Sequence, residues 1–271
     1  MLLVTTMLAA CVQGKGDKST AEADSLACET TEDIVFDSLA MLRQVSVIEG
    51  REVPCYTIDI TLPVARGTSA AASEINKTLC SEIFLTSDAL SPDSAMRHFA
   101  DSLGAQFTQE LEEFYEPDDE DAAFRFNYLW RMTGETTSTK LQTTGYVYHI
   151  ETYMGGAHGS YETFYLNFRH DGTLLHRQDV FRDEAYPRLL DLMQAQLLTD
   201  YGCQTISQLR DSTSITMLGD LYVEQNFLLE ADSVSFIFNQ YEIAPYSAGA
   251  IGIRLGYDQL ADVLTDEFKK N

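Results

Sequence analysis

His149 and Glu151 stand two residues apart in a run that reads as a β-strand, so their side chains share one face. His158 follows just beyond that run, and Glu162 lies in the next one. Two imidazoles and a carboxylate are a ligand set that zinc uses when one position stays open for water. The His-Glu-x-x-His spacing of a helical zinc hydrolase is absent, however. In the preferred reading, His149 packs on the sheet and His158 hydrogen-bonds loop backbone. The metal set His149, Glu151 and His158 is kept as the alternative. No Gly-x-Ser-x-Gly elbow and no phosphate-cradling glycine loop occurs. Acid pairs for glycoside cleavage are defined by separation in space, and nothing singles out one pair among the 42 Asp and Glu residues. No residue is assigned a catalytic role, and no cofactor is expected.

Two loops hold the remaining candidates. The first is Tyr153-Met154-Gly155-Gly156-Ala157-His158-Gly159, set between aromatic, alternating runs. Its glycines permit backbone angles and close approaches that a β-carbon forbids. The second is Tyr241-Glu242-Ile243-Ala244-Pro245-Tyr246-Ser247-Ala248-Gly249. Loops on a rigid sheet carry a disproportionate share of binding residues, and tyrosines supply amphipathic contact area. The binding candidates are therefore Tyr153, Gly155, Gly156, His158, Tyr241, Pro245 and Tyr246. A purely structural role, with glycine and proline only shaping turns, competes with that reading. Both loops are expected to frame one surface at one sheet end, with His158 partly buried against the opposite loop.

The chain that positions these loops is strongly acidic. Its 271 residues carry 18 Lys and Arg against 42 Asp and Glu, a formal charge of −24. Such a chain repels nucleic acid and anionic membrane surfaces, and attracts cationic partners from a distance. Residues 1–11 are apolar and uncharged and end Leu8-Ala9-Ala10-Cys11, which resembles a bacterial lipobox. Cys11 is the expected lipidation site, and the polar stretch 12–30 reads as a tether. Cys28, Cys55, Cys80 and Cys203 remain, enough for two disulfides or for four thiols.

Tyr56 to Leu62 alternates as a half-buried strand should, and Ala71, Ala72, Ile75 and Leu79 share a helical face. Met96, Phe99, Leu103, Phe107, Leu111 and Phe114 form one apolar stripe, which predicts a helix over 94–115. Phe124, Phe126, Tyr128, Trp130 and Met132 are expected on one face of a strand, with Leu129 an exception on the other. Strands over 141–154 and 161–168 continue a meander, and Asp171-Gly172 signals a turn. A helix is predicted over 183–201, with Pro187 in its first turn and Gly202 as its cap. A hairpin about Asp232-Ser233, a strand over 250–255 and a short helix over 258–268 complete the chain. The fold class is α+β: an antiparallel sheet meander packed with two to four helices. An N-terminal half is expected at 31–120 and a C-terminal domain at 121–271.

Three ordered motifs carry a resemblance: Tyr153-x-Gly-Gly-Ala-His158, then Asn167-x-x-x-Asp171-Gly172-Thr173-Leu174 with Asp179-x-Phe181, then Tyr241 to Gly249 with Tyr257-x-x-Leu260. Together they resemble the extracellular domain of the RsiV family of lysozyme-sensing anti-sigma factors. The same domain is similar to the non-catalytic N-terminal part of the peptidoglycan deacetylase PdaC, a domain of unknown function in bacterial envelope proteins. The likeness spans about 124–264, with a weaker one over 55–80. It implies an α+β fold and an envelope location. With no membrane-spanning or deacetylase segment in view, neither the anti-sigma role nor the deacetylase activity is expected to carry over. The expected protein is a lipid-anchored envelope lipoprotein on the periplasmic face of the outer membrane. Its expected role is non-enzymatic binding of a cell-wall component, such as a peptidoglycan fragment, or of a cationic wall-directed protein such as lysozyme. A metal-dependent hydrolase of wall glycan and a purely structural lipoprotein are the alternatives.

Overall fold

A computed structural model describes residues 34–87, 89–139, 142–215 and 226–269. The proposed lipidation site Cys11, the tether and Cys28 lie outside the described residues. Strand β1 (Phe36–Ser46) and strand β2 (Cys55–Ala65) form an antiparallel hairpin. In β2, Tyr56, Ile58, Ile60 and Leu62 are buried, while Thr57, Asp59 and Thr61 point to the opposite face.

The chain then crosses over through two helices. Helix α1 (Ala70–Thr78) is capped by Ser69, whose hydroxyl accepts the Ala72 N–H, and runs into a π-helical turn over Leu79–Ile83. Helix α2 (Pro92–Phe114) is capped by Ser91, with Pro92 in its first turn. Its buried stripe includes Met96, Ala100, Phe107 and Leu111. Gly104 lets the helix settle on β2, because a β-carbon there would stand 2.8 Å from the Tyr56 hydroxyl. Phe107 meets the rings of Tyr56 and Tyr128 edge-on, at 5.8 and 5.4 Å.

A helical turn, α3 (Ala122–Arg125), leads into strand β3 (Asn127–Ser138). Here the sequence expectation fails locally, since Phe124 and Phe126 precede the strand. The Asp121 carbonyl accepts the N–H groups of Phe124 and Arg125, and Asp119 accepts the Asp121 N–H and pairs with Arg125 at 2.7 Å. These local bonds turn the chain despite its alternating pattern. Strand β3 pairs with β2 in parallel, then with β4 (Thr143–Tyr153) antiparallel, and β4 pairs antiparallel with β5 (Ser160–Arg169). The mixed sheet has the order β1-β2-β3-β4-β5, and the expected meander is its second half. Strands from both sides of position 120 belong to it, since β2 pairs with β3.

Helices α4 (Arg177–Val180), α5 (Tyr186–Asp200) and α6 (Ile206–Thr213) follow. A second antiparallel sheet has strands β6 (Phe227–Leu229), β7 (Ser233–Phe238) and β8 (Ile251–Gly256). Helix α7 (Tyr257–Leu260) follows β8, and beyond it turns at 261–263 and 266–268 flank a bridge from Leu264 to Phe181, in place of the expected helix over 258–268. Two apolar cores result. One holds buried residues from Tyr56 to Phe168 and the other from Leu175 to Phe268. No helix among the described residues is long and apolar enough to cross a membrane.

The two sheets meet along the free edge of β5, and carboxamide side chains fill the seam. Asn239 accepts the Thr163 N–H at 2.8 Å and donates to the Thr163 carbonyl at 3.1 Å. Asn226 accepts from the Tyr165 N–H and donates to the carbonyls of Thr163 and Ile237. Asn167 donates to the Phe227 carbonyl at 2.7 Å and accepts the Leu229 N–H at 2.8 Å. An amide side chain offers the same donor and acceptor as a peptide group, so these three residues stand in for an adjacent strand. The edge of β5 is thereby closed to other partners.

Candidate functional site

One face of the five-stranded sheet rests on α1 and α2, and the other face is open at one end. Register determines what lies there. Thr57, Leu129 and Tyr153 are aligned across β2, β3 and β4. Two residues along, Asp59, Arg131, Glu151 and Tyr161 form a second row across four strands. Leu129, which looked like an exception in the strand pattern, belongs to this outer face.

A groove of about 750 Å³ lies over these rows. Phe124 of α3 and Tyr153 form one wall, their rings edge-to-face at 5.3 Å. The loop from Ala157 to Gly159, with Tyr161 and Tyr246, forms the other. Arg131 crosses the floor. Its Nε donates to Asp59 at 3.2 Å and its Nη1 to Glu151 at 2.7 Å. The bond to Asp59, with that to Glu151, raises the arginine's pKa and fixes its positive charge. All three side chains remain partly open to solvent.

The two loops meet. Gly155 takes a left-handed φ of +72°, and a β-carbon on it would lie 1.9 Å from the Arg125 carbonyl oxygen. The first loop is thus pressed against α3. Tyr153 closes it from within by donating its hydroxyl hydrogen to the Gly156 carbonyl at 3.1 Å. In the second loop, Ile243 and Ala244 are buried as anchors, and Pro245 opens a 3₁₀ turn over Tyr246–Ala248. The His158 ring stacks on Tyr246 with centroids 3.7 Å apart and planes 18° apart, and Tyr241 lies 5.8 Å from Tyr246. The shared surface expected of the loops is present, but His158 is exposed and not partly buried. Its Nδ1 bonds only to the adjacent Gly159 carbonyl, and the ring bridges to the other loop by stacking.

Of the candidate binding residues, Tyr153, His158 and Tyr246 line the groove. Gly155 and Gly156 shape the first loop, while Tyr241 and Pro245 stand at the second. The alternative metal set does not assemble: among the described residues no group of three or more His, Cys, Asp or Glu is placed to hold an ion. Glu151 is turned to Arg131, His149 to Thr163 Oγ1 at 2.9 Å, and His158 to Tyr246. Cys55 and Cys203 are free thiols, and burial pushes the Cys55 pKa up, away from reactivity. Sequence reasoning missed Asp59, Arg131 and Phe124. The first two are 72 residues apart and meet only through the parallel β2–β3 pairing.

The fold is α+β, and solved structures share it. A DUF3298-family protein from Bacteroides fragilis NCTC 9343 superposes with a TM-score of 0.74 at 21% identity, covering 89% of this chain and 99% of that one. A DUF3298-family protein from Pseudomonas aeruginosa PAO1 gives 0.59 at 14% identity, covering 87% of this chain and 97% of that one. No curated protein matches the chain. The family described as "Deacetylase PdaC" matches residues 49–161, and the one described as "Protein of unknown function (DUF3298)" matches residues 178–258. Residues 49–161 are thus similar to the PdaC family and residues 178–258 to the DUF3298 family of unknown function, and the fold is that of the solved DUF3298-family structures.

Proposed function

We propose that this protein is a non-enzymatic binding module of a bacterial envelope lipoprotein, and that the groove seats a cell-wall component or a cationic wall-directed protein. The groove carries this reading. Two loops from different sheets converge on it, aromatic rings rim it, and its central cation is already paired with two carboxylates. Phe124, Tyr161 and Tyr241, three of the large exposed hydrophobic side chains, lie at or beside it. Exposed apolar surface gathered around a concavity marks binding sites more often than chance. The −24 charge favours cationic partners at long range, and the lipobox-like ending at Cys11 supports the envelope location.

The test is a binding titration of the immobilised protein with muropeptides and, separately, with lysozyme, at low salt. Binding of either is expected in the micromolar range, with Tyr246→Ala weakening it about tenfold, the size of one lost aromatic contact. Absence of both interactions, or equal binding by the variant, would refute the groove as the site.

A further inference from the structure

We propose that the ligand seated in the groove is an uncharged saccharide, held by its ring faces on Tyr161 and Phe124 and by its hydroxyls on the Arg131–Glu151 row. This rests on the groove being the ligand site and narrows what it takes. The floor is dipolar, with one guanidinium held between two carboxylates. An anion meets the surplus negative charge of Asp59 and Glu151 on a chain of net charge −24. A cation meets Arg131 at the centre, where each carboxylate already commits one oxygen to it. A hydroxyl suits the floor, because it donates and accepts at once. Among the described residues, Arg131 Nη2 and the second oxygens of Asp59 and Glu151 have no protein partner.

The rings supply the other half of the recognition. Pyranose sugars present a flat C–H face that stacks on aromatic rings, and Phe124 and Tyr161 are 61% and 48% exposed beside the groove. Gln44, Thr57 and Asn127 add neutral donors and acceptors along the floor and its margin. The row Thr57–Leu129–Tyr153 crosses three strands, roughly 10 Å at the usual interstrand spacing, or about two pyranose rings.

Calorimetric titration of the full chain with probes of matched length and different charge tests the assignment. The probes are N-acetylchitotetraose (uncharged), its deacetylated form (cationic), tetragalacturonate (anionic) and tetralysine. The uncharged tetraose is expected to bind best, with little salt dependence. Tyr161→Ala and Phe124→Ala should each weaken it about tenfold. Both side chains are exposed, so melts should match the parent, and Tyr201→Ala, an exposed tyrosine outside the groove, should change nothing. Preference for a charged probe, lost in the groove variants, would overturn the ligand class and leave the groove standing. Failure of every probe to bind, or binding that ignores both groove variants, would overturn the ligand class and the groove together.

Discussion

Replacing Asn167 with leucine is expected to destabilise the protein by about 2–6 kcal/mol, the cost of two orphaned buried groups. The side chain is 1% exposed and makes two bonds across the seam, 2.7 Å to the Phe227 carbonyl and 2.8 Å from the Leu229 N–H. Leucine has nearly the same size, so the cavity contribution is small and the loss is polar. Phe227 and Leu229 are fully buried, so water does not replace the lost partner. Each orphaned group costs about 1–3 kcal/mol, and the sum is a large fraction of a typical domain stability of about 5–15 kcal/mol. Urea denaturation measures it. Trp130, the single tryptophan, packs at the first core and reports the five-stranded sheet, while far-UV circular dichroism reports both sheets. The midpoint should fall by both probes, with the dichroism transition leading as the second sheet loosens first. Asn167→Asp adds a sign check. A carboxylate still accepts from Leu229 but faces the Phe227 carbonyl, so this variant should regain stability as pH falls and the protonated acid donates. A midpoint unchanged to within about 0.5 kcal/mol for Asn167→Leu would show that the amides do not hold the seam.

Gly155→Ala should cost more than the ordinary ~1–3 kcal/mol of left-handed strain, because its β-carbon would stand 1.9 Å from the Arg125 carbonyl oxygen, whereas Gly156→Ala, with 3.7 Å to its nearest neighbour, should melt like the parent. Glu242 has a raised pKa, caused first by burial and also by repulsion from Glu162, against the lowering bond from the Asn239 N–H. The folded form therefore binds the proton more tightly, and the ionised group costs stability above that raised pKa. Glu242→Gln should melt higher than the parent at neutral pH, and its advantage should disappear as pH falls below the carboxylate range. Cys11→Ser should release the protein from the membrane fraction and abolish lipid labelling, and a variant that stays membrane-bound would refute the anchor.

Local chemistry made much of the fold legible. The Met96–Phe107–Leu111 stripe and the Tyr56–Leu62 alternation each specify an element through contacts a few residues apart, although the Ser91 cap and Pro92 start the helix two residues before the expected Ser94. The same logic failed where two local signals compete, as at Ala122–Arg125, where aromatic alternation suggested a strand but Asp119 and Asp121 bonded the backbone into a turn. The site was half legible. Gly155 and Tyr246 announced themselves by residue type in unusual loops. Asp59 and Arg131 did not, because their meeting depends on which strand β3 chooses as its neighbour, and a parallel choice leaves no mark on either strand alone.

The groove depends on the seam for its completion. Its lining from Gln44 to Tyr161 belongs to the five-stranded sheet and the segments that join its strands, but Tyr246 comes from the loop that follows β7. That loop starts at Asn239, the residue whose amide pairs with Thr163 on the edge of β5. Its backbone N–H also donates to Glu242, which fixes the first turn of the loop. The Tyr161 N–H, next to the groove itself, donates to the Gln240 side-chain oxygen at 3.3 Å. The amides that close an otherwise exposed sheet edge therefore also bring Tyr246 to within stacking distance of His158. Edge protection and site assembly are served by the same side chains.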